Sequence, residues 1–144
     1  MKAAFLDRDG VINVDKGYVW RKEDFELMPG AIESLQKLRD AGYALIVVTN
    51  QSGIGRGFFT QGDYLRLTMH MHDVLRPHGI TLTGVYHCPH APTEGCMCRK
   101  PMPGLILKAI ARHDIERRDS ILIGDKETDM QAAHAAGVQG YLVG

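Results

Sequence analysis

Neither sign of charge dominates this chain. Its 144 residues carry 17 Lys and Arg against 17 Asp and Glu, so no global field draws it to nucleic acid or to an anionic membrane surface. A local basic pocket is compatible with that balance. Cysteine is scarce, with three residues confined to the short stretch from Cys88 to Cys98. An odd number in one loop is a poor disulfide framework and suits a reducing cytoplasm. No apolar run reaches the length of a membrane span, and the N-terminal stretch lacks the apolar centre of a signal peptide. Internal repeats and low-complexity segments are missing as well. What remains is the composition of an ordinary soluble domain, long enough to bury a real core and read as one unit over residues 1–144.

The pattern that is present alternates strands with helices. Ala3–Asp7 reads as a short buried strand. Gly30–Ala41 reads as a helix with Ile32, Leu35, Leu38 and Ala41 on one stripe and Gly42 as its stop. "YALIVVTN" is a continuous β-branched run, the signature of a strand covered on both faces. Thr60 is placed to cap a helix running to about His78, with Leu65, Met69, His72 and Leu75 expected to face inward. Gly84–His87 reads as a strand, Pro103–His113 as a helix, Ser120–Ile123 as a strand, Thr128–Ala136 as a helix ended by Gly137, and Gly140–Val143 as a last strand. The alternation predicts a Rossmann-like parallel sheet with helices on both faces.

Ligands of such sheets bind at the carboxyl ends of the strands. Those ends carry Asp7 and Asp9, then Thr49 and Asn50, then Asp125, with Arg99 and Lys100 on the loop after the third strand. Two carboxylates as close as Asp7 and Asp9 need a compensating charge. Asp7, Asp9 and Asp125 offer the hard oxygen ligands that Mg²⁺ prefers. Taken alone, the Asp-x-Asp pair reads equally well as turn and cap residues.

The loop Cys88, His90, Cys96, Cys98 supplies three thiolates and an imidazole, enough to close a tetrahedral zinc site with no open position. Buried unliganded cysteines or a redox pair are the other readings of that spacing. His87, alternating with Tyr86 on the strand, reads as structural. Asp129 reads as a helix cap or as an acid reaching a metal through water. Trp20 reads as packing for the segment around it. Arg56 reads as a solvated arginine or as a contact at the entrance.

Together, "FLDRDGVIN", "VVTNQSG", "CRKP" and "IGDKETDM" resemble the four motifs of the haloacid-dehalogenase-like phosphohydrolases, in order and at the right strand ends. More narrowly, "DRDGVINVDKGYV", "TNQSGIGRGFF", the Cys/His loop and "GDKETDMQAA" are similar to the D-glycero-D-manno-heptose 1,7-bisphosphate 7-phosphatase family, which is related to the histidinol-phosphatases. The resemblance implies a haloacid-dehalogenase-like fold with no large cap and with a zinc-binding loop. It implies Asp7 as nucleophile and Asp9 as general acid and then base. Thr49 and Lys100 would hold the phosphoryl oxygens. Mg²⁺ would sit on Asp7, Asp125 and the backbone carbonyl of Asp9, and a structural Zn²⁺ on Cys88, His90, Cys96 and Cys98. Substrate contacts fall on Asp15, Lys16, Gly17, Tyr18, Asn50, Gln51, Ser52, Arg99 and Lys126.

The implied activity is removal of the 7-phosphate of a heptose bisphosphate on the route to nucleotide-activated heptose for surface polysaccharide. The expected setting is a cytoplasmic monomer acting on a small sugar phosphate, without nucleic-acid or membrane partners. Histidinol phosphate or another small phosphomonoester is the alternative substrate. A zinc-stabilised binding module with a dead site is the alternative class. The short zinc loop and the end of the chain soon after its last strand are departures that bear on substrate choice.

Overall fold

Every residue of the first strand is buried, and its side chains must alternate between faces, so the chain needs two cores. In the computed structural model, which describes residues 1–143, β1 (Ala3–Leu6) lies at the centre of a parallel five-stranded sheet. The other strands are β2 (Ala44–Asn50), β3 (Gly84–Cys88), β4 (Ile121–Gly124) and β5 (Gln139–Leu142), in the order β3-β2-β1-β4-β5. Ala3 and Phe5 point to one face, where Ile46, Val48 and Leu122 meet α3 (Gly104–His113) and α4 (Glu127–Ala136). Ala4 and Leu6 point to the other, where Leu45 and Val47 meet α1 (Ala31–Asp40) and α2 (Gln61–Leu75). Burial of apolar side chains on both faces is the main stabilising term of such a layered fold.

The strand order reverses direction at β1. The chain first adds β2 and β3 on one side, then β4 and β5 on the other. The crevice beyond the carboxyl ends of β1 and β4 is therefore the topological switch point, where open parallel sheets bind ligands. Between β1 and α1 the chain supplies one small hairpin. Val14 N–H donates to the Glu26 carbonyl and Met28 N–H to that of Ile12. The tip of this hairpin, with Tyr18 in a left-handed conformation at φ 49, leans over the crevice. Trp20 stacks on Phe59 and braces it.

Several expectations need correction. The inward face of α2 is Tyr64, Leu67, Met71 and Leu75, whereas Leu65 and Met69 are 50% and 66% exposed. The helix begins at a capping box in which Thr60 and Asp63 bond each other's backbone N–H. From that start Tyr64 is the first residue to face the sheet, and its ring stacks on His87 at 4.0 Å. Of the expected stripe only Leu75 faces inward; Leu67 and Met71 follow Tyr64 at helical spacing on the buried face. The fourth strand also begins and ends one residue later than expected, and the last strand one residue earlier. Among the described residues, no helix is long and apolar enough to cross a membrane.

Candidate active site

The turn after β1 is where the charge concentrates. Asp7 is almost fully buried, and its Oδ1 accepts from the Arg8 backbone N–H at 2.8 Å. Gly10, at φ +90, lets the chain double back there. A Cβ at this position would fall 2.1 Å from Asp125 Oδ2, so the approach of the two strand ends requires glycine. Gly124 plays the same part for Asp129, whose carboxylate packs where a Cβ would stand. One carboxylate oxygen from each of Asp7, Asp125 and Asp129 lies within 4.8 Å of the others.

Lys100 enters this cluster from the loop after β3. Its ammonium, 3% exposed as a residue, donates to the Val48 carbonyl at 3.0 Å and to Asp129 Oδ1 at 2.5 Å, and lies 3.3 Å from Asp7 Oδ1. The Asn50 amide fixes the lysine's main chain from both sides. Its Nδ2 donates to the Lys100 carbonyl, and its Oδ1 accepts from the Lys100 N–H. Burial pushes the Asp7 carboxyl up to about 7. Lys100 opposes that rise, while Asp129, Asp9 and Asp125 add to it.

Asp9 has separate company. Arg8 donates to it through Nε and Nη2, Asn13 through Nδ2 at 2.9 Å, and Gln51 through Nε2 at 3.2 Å. The same Gln51 amide donates to Thr49 Oγ1 at 3.0 Å, so Gln51 links the ends of β1 and β2. Lys126 lies between Asp125, at 3.4 Å, and Asp15 on the hairpin tip, at 3.6 Å. Burial lowers its pKa, but the neighbouring Asp125, Asp7 and Asp15 prevail and raise it.

A cavity of about 400 Å³ opens over these groups. Asp7, Asp9 and Lys100 form its floor, and the walls include Asp15, Gly17 and Tyr18 from the hairpin, Asn50 to Ser52, Arg99 and Lys126. Thr49 is buried beneath the wall rather than in it. Lys16 points elsewhere and pairs with Glu26 at 3.1 Å. Asp129 is the cap of α4, accepting from the Lys126 N–H, and also the strongest partner of Lys100. Arg8 and Asn13 escaped the sequence reading. Arg8 stands between two acids that draw all the attention, and Asn13 looks like an ordinary turn residue. An arginine in a turn this close to a buried strand was the available signal.

A haloacid dehalogenase-like hydrolase family model matches residues 4–87, and a related hydrolase model matches residues 97–144. The chain belongs to the haloacid dehalogenase-like hydrolases. Within the family it is 50% identical over 143 residues to the D-glycero-β-D-manno-heptose-1,7-bisphosphate 7-phosphatase of Helicobacter pylori, covering 99% of this chain and 83% of that protein. It is 42% identical over 145 residues to the corresponding α-anomer enzyme of Photorhabdus laumondii, covering 96% of this chain and 79% of that one. The crystal structure of D,D-heptose 1,7-bisphosphate phosphatase from B. bronchiseptica, complexed with magnesium and phosphate, superposes with a TM-score of 0.93. That match has 35% identity and covers 99% of this chain and 80% of the other.

The donor sets fit the two metals expected of this hydrolase. Three converging carboxylates are the hard oxygen ligands of Mg²⁺. Lys100 holds Asp129 more closely than Asp7, which leaves Asp7 and Asp125 as the freer pair. In the loop, ligand atoms of Cys88, His90, Cys96 and Cys98 all lie within 4.8 Å of one another, with His90 Nδ1 3.3 Å from Cys88 Sγ and 3.2 Å from Cys98 Sγ. Three free thiols and one imidazole in that arrangement match a closed structural zinc site. Burial raises the Cys88 thiol. Burial also acts to raise Cys96, but hydrogen bonding, beginning with the Arg99 N–H, brings it down to about 6, toward the thiolate that zinc requires.

Proposed function

We infer that this chain is a Mg²⁺-dependent D-glycero-D-manno-heptose 1,7-bisphosphate 7-phosphatase, working through an aspartyl-phosphate. The observation that carries the substrate is the 50% identity, across nearly the whole chain, to an enzyme of that name. The β anomer is the preferred form in this reading, because the β-specific relative is closer than the α-specific one.

Asp7 is the nucleophile. It lies on the cavity floor beside the Lys100 ammonium, which steadies its charge and the oxygens of the incoming phosphoryl group. Asp9, also on the floor, gives its proton to the leaving sugar oxygen and then takes one from the attacking water. Thr49, held by Gln51, supports the phosphoryl site from beneath. Asp7 and Asp125, with the Asp9 carbonyl, would hold Mg²⁺, which when bound shields the negative charge shared by the carboxylate and the phosphoryl group. Asp15, Gly17 and Tyr18 on the hairpin face the sugar, and Arg99 and Lys126 answer its remaining anionic groups. Lys16, turned toward Glu26, would have to swing to join them. The Zn²⁺ clip fixes Cys96 and Cys98 and thereby the direction of Arg99 and Lys100. The enzyme is taken to act as a cytoplasmic monomer.

The test is phosphate release from both anomers of heptose 1,7-bisphosphate, fructose 1,6-bisphosphate and histidinol phosphate, with Mg²⁺ and with a chelator. The heptose β anomer is expected to give the highest kcat/KM, and chelation to abolish turnover. Preference for histidinol phosphate, or no Mg²⁺-dependent release from any of the four, overturns the reading.

A further inference from the structure

The largest side chain that the fold hides completely is that of Arg8, and the reaction described above does not use it. Its Nε and Nη2 donate to Asp9 Oδ1 at 3.2 and 3.0 Å, and Nη2 also reaches Oδ2 at 3.3 Å. The same Nη2 donates to the Val19 carbonyl at 2.7 Å, immediately after the cavity-facing tip of the hairpin. Nη1 is buried with no protein partner. A guanidinium hidden with one N–H group unanswered is a poor way to fill a core, since apolar residues of similar size generally serve stability as well or better. Asn13 and Gln51 complete the grip on Asp9, one on each carboxylate oxygen. The carboxylate is thus held from three directions by the turn, the hairpin arm and the loop after β2.

We propose that Arg8 is a positioning residue that aims the Asp9 carboxyl at the leaving oxygen and ties that aim to the hairpin through Val19. This rests on Asp9 being the proton donor of the proposed reaction. In that step the bond from Asp7 to phosphorus forms as the bond from phosphorus to the sugar oxygen breaks, and the proton of Asp9 passes to that oxygen. The Asp9 carboxylate then takes a proton from the water that attacks phosphorus, which frees inorganic phosphate and restores the Asp7 carboxylate. In the first step, the formation of the aspartyl-phosphate that kcat/KM reports, a misaimed acid matters only where the leaving oxygen needs a proton. A sugar alkoxide does; p-nitrophenolate, a stable anion, does not, whereas the water-activation step is common to both substrates and shows in kcat alone.

The leaving group is therefore the diagnostic. Arg8→Lys, which keeps the charge but loses the fork, and Arg8→Met, which keeps the bulk, are compared with wild type on an alkyl phosphate that wild type hydrolyses and on p-nitrophenyl phosphate. The expected result is a fall in kcat/KM of about tenfold or more on the alkyl phosphate. The kcat/KM for the aryl phosphate should hold within about threefold, because its departure draws little on acid catalysis. Arg8→Lys should retain more of the alkyl kcat/KM than Arg8→Met. Equal losses of kcat/KM on both substrates, an undiminished alkyl kcat/KM, or failure of both variants to fold by circular dichroism would each overturn the proposal, since each places Arg8 in the frame rather than in the aim of the acid. If wild type cleaves other alkyl phosphates but not heptose bisphosphate, the substrate assignment falls while this comparison stands.

Discussion

Asp7 is held where catalysis needs it and stability does not, and replacing it by asparagine exposes the difference. Burial raises its carboxyl from 3.8 to about 7 in the metal-free fold. The folded state then binds a proton more tightly than the unfolded chain does. Stability from this group is fully present below about pH 4 and is lost as pH rises toward about 7, beyond which both states are ionised and the loss is complete. At about 1.4 kcal/mol per pH unit, the span corresponds to at most about 4 kcal/mol. Asp7→Asn keeps the shape, removes the ionisation and leaves Lys100 its contact with Asp129. In metal-free urea unfolding, the stability of the variant relative to wild type should grow between about pH 4 and about pH 7 and then level off. Mg²⁺ should narrow the gap at neutral pH by binding the wild-type carboxylate. Phosphate release should be abolished throughout. Parallel stability curves for the two proteins across that range would refute the claim that Asp7 is ionised against the preference of its surroundings.

Removing zinc from the folded protein should lower both Tm and kcat, raise hydrogen exchange over residues 88–100, and leave Cys96 as the first thiol labelled by iodoacetamide near neutral pH, because its pKa is brought down to about 6. Unchanged activity in a verified zinc-free, folded sample would break the link between the clip and Lys100. Gly10→Ala should eliminate Mg²⁺-dependent turnover, because the added Cβ collides with the Asp125 carboxylate in a backbone conformation that alanine resists; Mg²⁺ titration and kinetics read it out. Asn50→Ala removes both bonds to the Lys100 backbone and should cost about 1–3 kcal/mol of stability, with a larger proportional loss in kcat than in KM. A variant altered only in KM would instead make Asn50 a plain substrate contact.

Much of this was readable from the sequence because the chemistry is written at strand ends. Asp7, Thr49 and Asp125 each follow an apolar run, and the parallel order of the sheet gathers such ends at one edge. That Cys88, His90, Cys96 and Cys98 converge follows from their lying within one short segment, but spacing alone left unliganded cysteines and a redox pair open, and the zinc reading came from the family resemblance. What escaped depends on side-chain direction. Nothing in the string distinguishes a solvated Arg8 from one folded back on Asp9, or an Asn50 that meets substrate from one that clips the Lys100 backbone. Lys16 and Lys126 look alike as cations near motifs, yet one pairs with Glu26 and the other bridges Asp15 and Asp125. The face of α2 was misplaced for a related reason: the capping box set its phase and a tyrosine carried the burial.

The partition of cations explains how two aspartates so close in sequence can take opposite roles. Asp7 shares Lys100 with Asp129, while Asp9 has Arg8 to itself and Asp125 leans on Lys126. Asp7 and Asp9 therefore answer to different positive charges, Lys100 from the loop after β3 and Arg8 from the turn itself. With every group ionised, four acids face three cations in this cluster, a deficit of one positive charge. A divalent cation reverses the sign, and a site left with net positive charge attracts a phosphate dianion that the metal-free cluster would repel. The order in which ligands favour the site is then metal before phosphate, set by charges that the fold already gathers at one sheet edge.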